Sequence, residues 1–309
     1  MTALPAAQQL RYLVALAEHQ HFGRAAASCG VTQSTLSAGL IALERQLDAA
    51  ILDRGAGKHV AFTALGEEVV SRARVALAAL EAVSEAADAA RRPMTGPLRL
   101  GVIPTIGPFL LPRLMPSLRQ HFPDLRLFLR EDTTANCLER LAAHRLDVVL
   151  LALPCDCDDA ETLPVVTDDF VAALPPGSSL AASERVSVAQ LASERLLLLE
   201  DGHCLRDQAL AACGQSATPA DPYAATSLHT LVQMVAGGLG ATLLPRIAID
   251  AGVTAGAELV LRELRGRGAW RTLGLAWRPN SARAAEYRAL APLLANAAGG
   301  RVASGARRT

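Results

Sequence analysis

The stretch Thr63–Ala90 limits what this chain can fold into more than any other. Leu65, Val69, Ala73, Ala76, Leu80, Val83 and Ala87 recur in it at three- and four-residue steps, and Thr63 with Glu67 nearby suits a helix start. The spacing predicts one helix of about 28 residues with a single apolar stripe. Such a helix cannot bury that stripe on itself, so it needs a partner. Arg91–Pro97, holding Pro93, Gly96 and Pro97, breaks the helix and marks a domain boundary. The 309 residues are long enough for two or three compact units with a substantial core.

Ahead of the helix, Leu10, Leu13, Val14 and Ala17 keep helical spacing within residues 6–20. The Ala-rich segment H-F-G-R-A-A-A-S-C ends at Gly30, a good residue for closing a helix. Thr32 is predicted to cap a third helix, Gln33–Leu47, in which Leu36, Leu40, Leu43 and Leu47 form one narrow apolar face. Ser34, Ser37, Ala38 and Ile41 fall on the side turned away from it. Helix, short turn, then a helix with hydroxyl residues at its start is the pattern of a helix-turn-helix. Asp53–Thr63, with Arg54, Lys58 and His59 around Gly55 and Gly57, is read as a turn-and-strand wing.

From Leu98 the texture changes. Leu98–Ile103, Leu125–Arg130, Val148–Leu153, Phe170–Leu174, Leu196–Leu199, Ala241–Leu244 and Thr272–Trp277 are predicted strands. Helices such as Leu110–Phe122, Ala135–His144 and Thr226–Ala236 lie between them. This order predicts an α/β domain with a largely parallel sheet, split in two, with Asp168–Asp169 and Arg265–Gly268 as candidate crossovers. Gly237, Gly238 and Gly240 follow a helix and precede a strand, the reverse of a dinucleotide fingerprint. The tail from Gly299, ending in Arg307 and Arg308, is expected to be mobile.

Net charge is +0, so no global basic field marks a nucleic-acid binder, and any such site must be local. The first residues lack a charged stretch followed by a long apolar core, and the longest apolar runs, Val148–Leu153 among them, are far too short to span a bilayer. A cytoplasmic protein with no membrane partner is expected. Six cysteines in a reducing compartment then point to buried, catalytic, metal-binding or redox-sensing roles rather than a disulfide framework. Cys29 and Cys137 lie in helical patterns and are expected to be buried as small hydrophobes. Cys155 and Cys157, in the acidic loop P-C-D-C-D-D, suit a soft metal or extra oxidisable thiols. No second pair stands at metal-site spacing, so neither a metal site nor a cofactor is expected.

The chemistry centres on Glu200–Cys213, E-D-G-H-C-L-R-D-Q-A-L-A-A-C. Asp201 is expected to cap a helix over Leu205–Ala212, which puts Cys204 in the first turn. Orphan N–H groups and the positive end of the helix dipole favour a thiolate there. Arg206, and His203 when protonated, push the same way. Cys213 follows nine residues later. On one regular helix that separation is roughly 13.5 Å, on opposite faces. A disulfide needs Cα atoms within about 7 Å. Either the chain breaks between the two cysteines, or bonding them unwinds the helix, or they are unrelated.

The run F-G-R-A-A-A-S-C-G-V-T-Q-S-T-L-S, then L-E-R-Q-L and F-T-A-L-G, resembles the DNA-binding end of the LysR-type transcriptional regulators. T-S-L-H-T-L-V-Q-M-V-A-G-G-L-G-A-T-L-L-P at Thr226–Pro245 is similar to the same family. The resemblance implies that Gln33–Leu47 is the recognition helix, with Gln33, Ser34, Thr35 and Ser37 placed to read base edges of double-stranded DNA. Arg54 and Lys58 would hold phosphates from the wing. Ile41 and Ala42 depart from the family, which often carries basic residues there, so this helix offers less phosphate attraction. The resemblance also implies a homodimer through the long helix, a homotetramer of paired dimers, and an α/β effector domain of two lobes similar to periplasmic binding proteins. The expected organisation is an all-α winged helix-turn-helix domain over 1–62, a linker helix over 63–90, a hinge over 91–97, a regulatory domain over 98–298 and a tail over 299–309. Lobe I would take 98–168 plus 269–298, and lobe II 169–268.

E-D-G-H-C-L-R-D-Q-A-L with Cys213, joined by I-P-T-I-G-P-F-L-L-P and V-A-L-A-E-H-Q-H-F, resembles the peroxide-sensing branch of that family. The likeness runs from about Leu10 to Ala291. It implies that Cys204 is the peroxidatic cysteine and Cys213 the resolving one, with Thr105, Thr134, His203, Arg206 and Asp207 in or around a hydrogen peroxide pocket. In that chemistry Cys204 becomes a sulfenic acid, Cys213 condenses with it, and the Thr105 and Thr134 hydroxyls steady the departing oxygen. A thiol reductant system resets the bond, and RNA polymerase is a further partner. The function implied is a peroxide-responsive transcription regulator rather than a turnover enzyme. Two alternatives are a LysR-type regulator binding a small metabolite in the interlobe cleft, with both cysteines incidental, and a peroxidase or metalloenzyme.

Overall fold

A computed structural model describes residues 4–53, 60–157, 159–213, 224–265, 269–299 and 301–302. Its contacts divide the chain into two units, Met1–Arg91 and Arg92–Thr309.

In the first unit, α1 (Ala7–His19), α2 (Phe22–Ser28), α3 (Gln33–Leu47) and α4 (Ala64–Arg91) close around Leu13, Leu16, Ala25, Leu36, Leu43 and Ile51. The turn between α2 and α3 is set by its caps. His21 Nδ1 accepts from the Gly23 and Arg24 N–H groups at 3.0 and 3.3 Å. Thr32 Oγ1 accepts from the Thr35 N–H at 3.2 Å, the cap that the pattern predicts. Leu52 and Phe62 form an antiparallel bridge at the base of the expected wing. Glu44 Oε1 ties that base to α3 by accepting from the Ile51 and Leu52 N–H groups at 2.9 and 3.1 Å. Arg54 and Lys58 lie outside the described residues.

Thr63 opens α4 by accepting from the Gly66 N–H at 2.9 Å. A Cβ at Gly66 would run into the Ile51 carbonyl oxygen, so the approach of α4 to the bundle requires glycine there. Val70 and Ala73 bury against this core, whereas Leu65, Val75, Leu80 and Val83 stay 47–70 % exposed. One side of α4 is thus used within the unit, and a second apolar side faces outward.

The second unit begins with β1 (Gly96–Val102), α5 (Gly107–His121), β2 (Leu125–Glu131), α6 (Thr134–Ala142) and β3 (Val148–Leu153). It continues through β4 (Glu161–Leu174), β5 (Arg185–Ser187), α7 (Val188–Leu191), α8 (Cys204–Ala212), α9 (Leu228–Ala236), β6 (Thr242–Pro245) and α10 (Arg246–Asp250). β7 (Val260–Arg265), β8 (Trp270–Trp277), α11 (Ala284–Ala298) and β9 (Arg301–Val302) complete the elements.

Two sheets share one strand. β1 pairs in parallel with β2 and β3, β3 antiparallel with β8, and β8 antiparallel with β4 from Glu161 to Asp169. From Phe170 onward β4 pairs instead with β6 and β7, and β5 lies parallel to β7. The sheets are therefore mixed, not largely parallel. The two long strands β4 and β8 lie side by side and run in opposite directions, and β3 with β8 and β6, β7 and β9 with β4 also pair antiparallel. β3 reads as a continuous apolar run because it is covered on both faces.

Some local expectations shift. Leu196 and Leu199 make single parallel bridges, to Ala241 and Ala225, rather than a strand. α5 starts at Gly107, three residues before the apolar pattern suggests, with Pro108 in its first turn, where a missing N–H costs nothing. Arg301 and Val302 pair with Thr167 and Val166, so the first residues of the expected mobile tail extend a sheet. Among the described residues no single helix is long and apolar enough to cross a membrane.

Candidate functional site

Cys204 is the first residue of α8, half-buried, with a free thiol. The helix is capped by His203 in extended backbone, without a side-chain cap bond, and not by Asp201. The physical reason is a competing partner. Asp201 Oδ1 lies 2.9 Å from Arg206 Nε, and Arg206 also donates to the Leu199 carbonyl at 3.3 Å. Gly202, at φ +89°, makes the turn between them. Arg206 is 4 % exposed and Asp201 77 %, so the pair spans the boundary from core to solvent. A buried guanidinium outcompetes a backbone N–H for the carboxylate.

Thr134 meets the cysteine from the other side. Its Oγ1 lies 2.6 Å from Cys204 Sγ. Thr134 is the first residue of α6, whose cap is the adjacent Thr133. The sulfur therefore stands beside the N-terminal ends of two helices, where backbone N–H groups and helix dipoles favour negative charge. A thiolate there takes the Thr134 hydroxyl as a donor.

Thr105 occupies the turn between β1 and α5 and is 3 % exposed. Its Oγ1 accepts from Arg271 Nη1 at 2.8 Å and its carbonyl from Nη2 at 3.0 Å. With the oxygen already accepting, the Thr105 proton is oriented to be given away. Arg271 Nε in turn donates to Asp168 Oδ2 at 2.9 Å, and Asp168 Oδ1 accepts from the Ile247 N–H at 3.0 Å. Residue spacing does not mark Arg271 or Asp168 as site residues; the one signal is a charge opening the apolar strand W-R-T-L-G-L-A-W.

Cys213 closes the far end of α8 as its C-terminal cap, buried, and burial pushes its thiol above the ordinary range. α8 is unbroken between the two cysteines. His203 is half-buried and Asp207 exposed in the first turn of α8. Cys137 is buried on α6, its thiol pushed up to about 11, chiefly by burial. Cys29 is half-buried. Cys155 and Cys157 face each other across Asp156, with Cα atoms 5.2 Å apart. In the first unit Gln33, Ser34 and Thr35 are exposed and Ser37 half-buried. The Ser34 and Thr35 hydroxyls stand 2.9 and 2.8 Å from Thr32 Oγ1.

A small helix-turn-helix unit joined by a long helix to a two-sheet α/β unit defines a bacterial transcription regulator. Residues 7–67 match the bacterial regulatory helix-turn-helix protein, lysR family, and residues 91–299 match the LysR substrate binding domain. The chain belongs to the LysR family. It is 42 % identical to a probable hydrogen peroxide-inducible genes activator of Streptomyces viridosporus, over 95 % of this chain and 94 % of that protein. It is 41 % identical to the DNA-binding transcriptional dual regulator OxyR of Escherichia coli, over 92 % of this chain and 93 % of that one. Among solved structures, a full-length OxyR variant of Pseudomonas aeruginosa superposes with a TM-score of 0.76 at 34 % identity, covering 94 % of this chain and 98 % of that chain. A hydrogen peroxide-bound OxyR mutant of Corynebacterium glutamicum superposes with a TM-score of 0.65 at 32 % identity, covering 96 % and 94 %.

Proposed function

We propose that this chain is a DNA-binding transcription regulator that senses hydrogen peroxide through Cys204 and Cys213. The observation that carries the reading is a free Cys204 at the head of α8, touched by the Thr134 hydroxyl, with Cys213 at the other end of the same helix. The Cys204 thiolate attacks one peroxide oxygen, the O–O bond breaks, and the other oxygen leaves as hydroxide, which takes up the proton the thiol gave away, relayed through a hydroxyl, and departs as water. Thr134 and Thr105 are the hydroxyls for that task, and Arg271 holds Thr105 in place. Cys213 sulfur then displaces the sulfenic oxygen as water and forms the disulfide.

The second step forces a change of shape. Nine residues of helix hold the cysteines roughly 13.5 Å apart, beyond the span of about 7 Å that a disulfide tolerates. α8 has to unwind for the two sulfurs to meet. His203 and Asp207 set the charge around the first turn. The refolded segment alters how copies of the chain pack, and hence how paired recognition helices meet DNA. The outward apolar side of α4, with Leu80 and Val83, supports a homodimer, and paired dimers make the tetramer. Gln33, Ser34, Thr35 and Ser37 read bases, with Arg54 and Lys58 on phosphates. The division follows: a DNA-binding domain to residue 62, the linker helix to 90, a hinge to 97, and two lobes of a regulatory domain to 298. The cytoplasm, a thiol reductant system and RNA polymerase complete the setting. Peroxide is consumed once per switching event, not in turnover.

Trypsin separates the cysteines into peptides 196–206 and 207–246. After a stoichiometric peroxide pulse, digestion without reduction should yield these two joined, and the join should vanish in Cys204→Ser. Their absence from the wild-type digest rejects the proposal.

A further inference from the structure

Cys155 and Cys157 take no part in the chemistry above. They lie in the segment 154–160 between β3 and β4, half-buried, with Asp156 exposed between them. Both pack against the large core cluster of the unit. The segment is held at both ends. β3 is buried from Val148 to Ala152, and the Ala160 N–H returns to the Cys157 carbonyl at 2.9 Å. The Cα atoms of the two cysteines are 5.2 Å apart, inside the span of about 4.4–6.8 Å that a disulfide occupies.

We propose that Cys155 and Cys157 are a second, reversible thiol–disulfide couple, closed and opened by exchange with small-molecule thiols and independent of α8. The contrast with Cys204 and Cys213 is mechanical. That pair is held apart by a helix, whereas this one is separated by a single residue, with Cα atoms 5.2 Å apart. A disulfide carries no charge and suits the apolar neighbours against which both residues pack.

The exchange balances. One cysteine gives up its proton and attacks a sulfur of a small disulfide, whose S–S bond breaks to release one thiolate. The second cysteine, also deprotonated, displaces the remaining half as another thiolate. The two released thiolates take up the two protons. Two protein thiols are oxidised and one small disulfide is reduced to two thiols. Reduction runs the same steps backwards.

The test uses full-length protein, wild type and the Cys204→Ser/Cys213→Ser variant, equilibrated in glutathione buffers from fully reduced to fully oxidised. Samples are quenched in acid, alkylated and digested. Tryptic peptide 146–185 holds Cys155 and Cys157 and no other cysteine. It should pass in one transition from carrying two alkyl groups to carrying none and being lighter by two hydrogens. The buffer ratio at the midpoint should agree between the two proteins within about twofold, and dithiothreitol should reverse the change. Four results overturn the proposal: two alkyl groups retained in glutathione disulfide alone, a lasting glutathione adduct, loss of the transition in the variant, or a bond that excess reductant leaves closed. The peroxide reading is judged on peptides 196–206 and 207–246, so either proposal can fail without the other.

Discussion

Thr134 Oγ1 lies 2.6 Å from Cys204 Sγ, joining the first residue of α6 to the first residue of α8 across 70 positions of sequence. The contact does two things a solitary cysteine at a helix start cannot. It adds a second helix N-terminus to the surroundings of the sulfur, and it supplies a hydroxyl that can pass a proton to an oxygen leaving that sulfur.

Thr134→Val keeps the side-chain shape and removes the hydroxyl. If the hydroxyl steadies the departing oxygen, Cys204 oxidation by peroxide should slow by roughly 10²-fold, the typical cost of one such donor. Stopped-flow measurement of sulfenic acid formation checks it. An unchanged rate would reduce Thr134 to a packing partner.

Arg271 and Asp168 are both buried, with their side chains 0 % and 4 % exposed. Removing one partner strands the other in the core, so Arg271→Met should destabilise the reduced protein by about 3–5 kcal/mol. Arg271→Met combined with Asp168→Asn should recover part of that loss. Urea denaturation reads both, and a cost for the single variant within error of zero contradicts the role assigned to the pair.

The Arg206 pair should behave asymmetrically. Asp201 is mostly in solvent, so Asp201→Asn should cost less than about 1 kcal/mol. Arg206→Ala leaves the buried Leu199 carbonyl without its donor and removes a packed stem, for a cost of about 1–3 kcal/mol. Equal costs in thermal unfolding would mean that the ion pair, and not the burial, dominates.

Burial raises the Cys213 thiol above its ordinary value of 9.0. A group whose folded value is raised adds stability that is fully present below its unfolded value and is lost as pH rises through the folded one. The advantage of reduced wild type over Cys213→Ala should therefore be constant near neutrality and shrink above pH 9.0. Denaturation curves on either side of that value decide it. A gap that widens with pH has the wrong sign.

Much of the helical framework was legible because its signals are local. Thr32 caps α3 where a hydroxyl precedes an apolar stripe, and Thr63 caps α4 in the same way. Two predictions failed for one common reason. Asp201 does not cap α8 because Arg206 binds it, and the sheet is mixed because β4 and β8 pair over long sequence distances. Neither partner choice is visible from residue spacing. The wing residues Arg54 and Lys58 lie outside the described residues.

By itself the sequence determined the helix-turn-helix, the long amphipathic helix, the position of Cys204 at a helix start and the nine-residue separation from Cys213. Periodicity, capping and backbone rise act over a few residues, so they can be read from neighbours. Only the tertiary structure decided that Thr134 touches Cys204, that Arg271 holds Thr105 and Asp168, and that Arg206 reaches back to Asp201. Those contacts depend on which strand lies beside which, and on charged groups finding partners once they are buried. Burial makes an unpaired guanidinium or carboxylate costly. The cost falls on the folded chain and leaves no mark on local spacing.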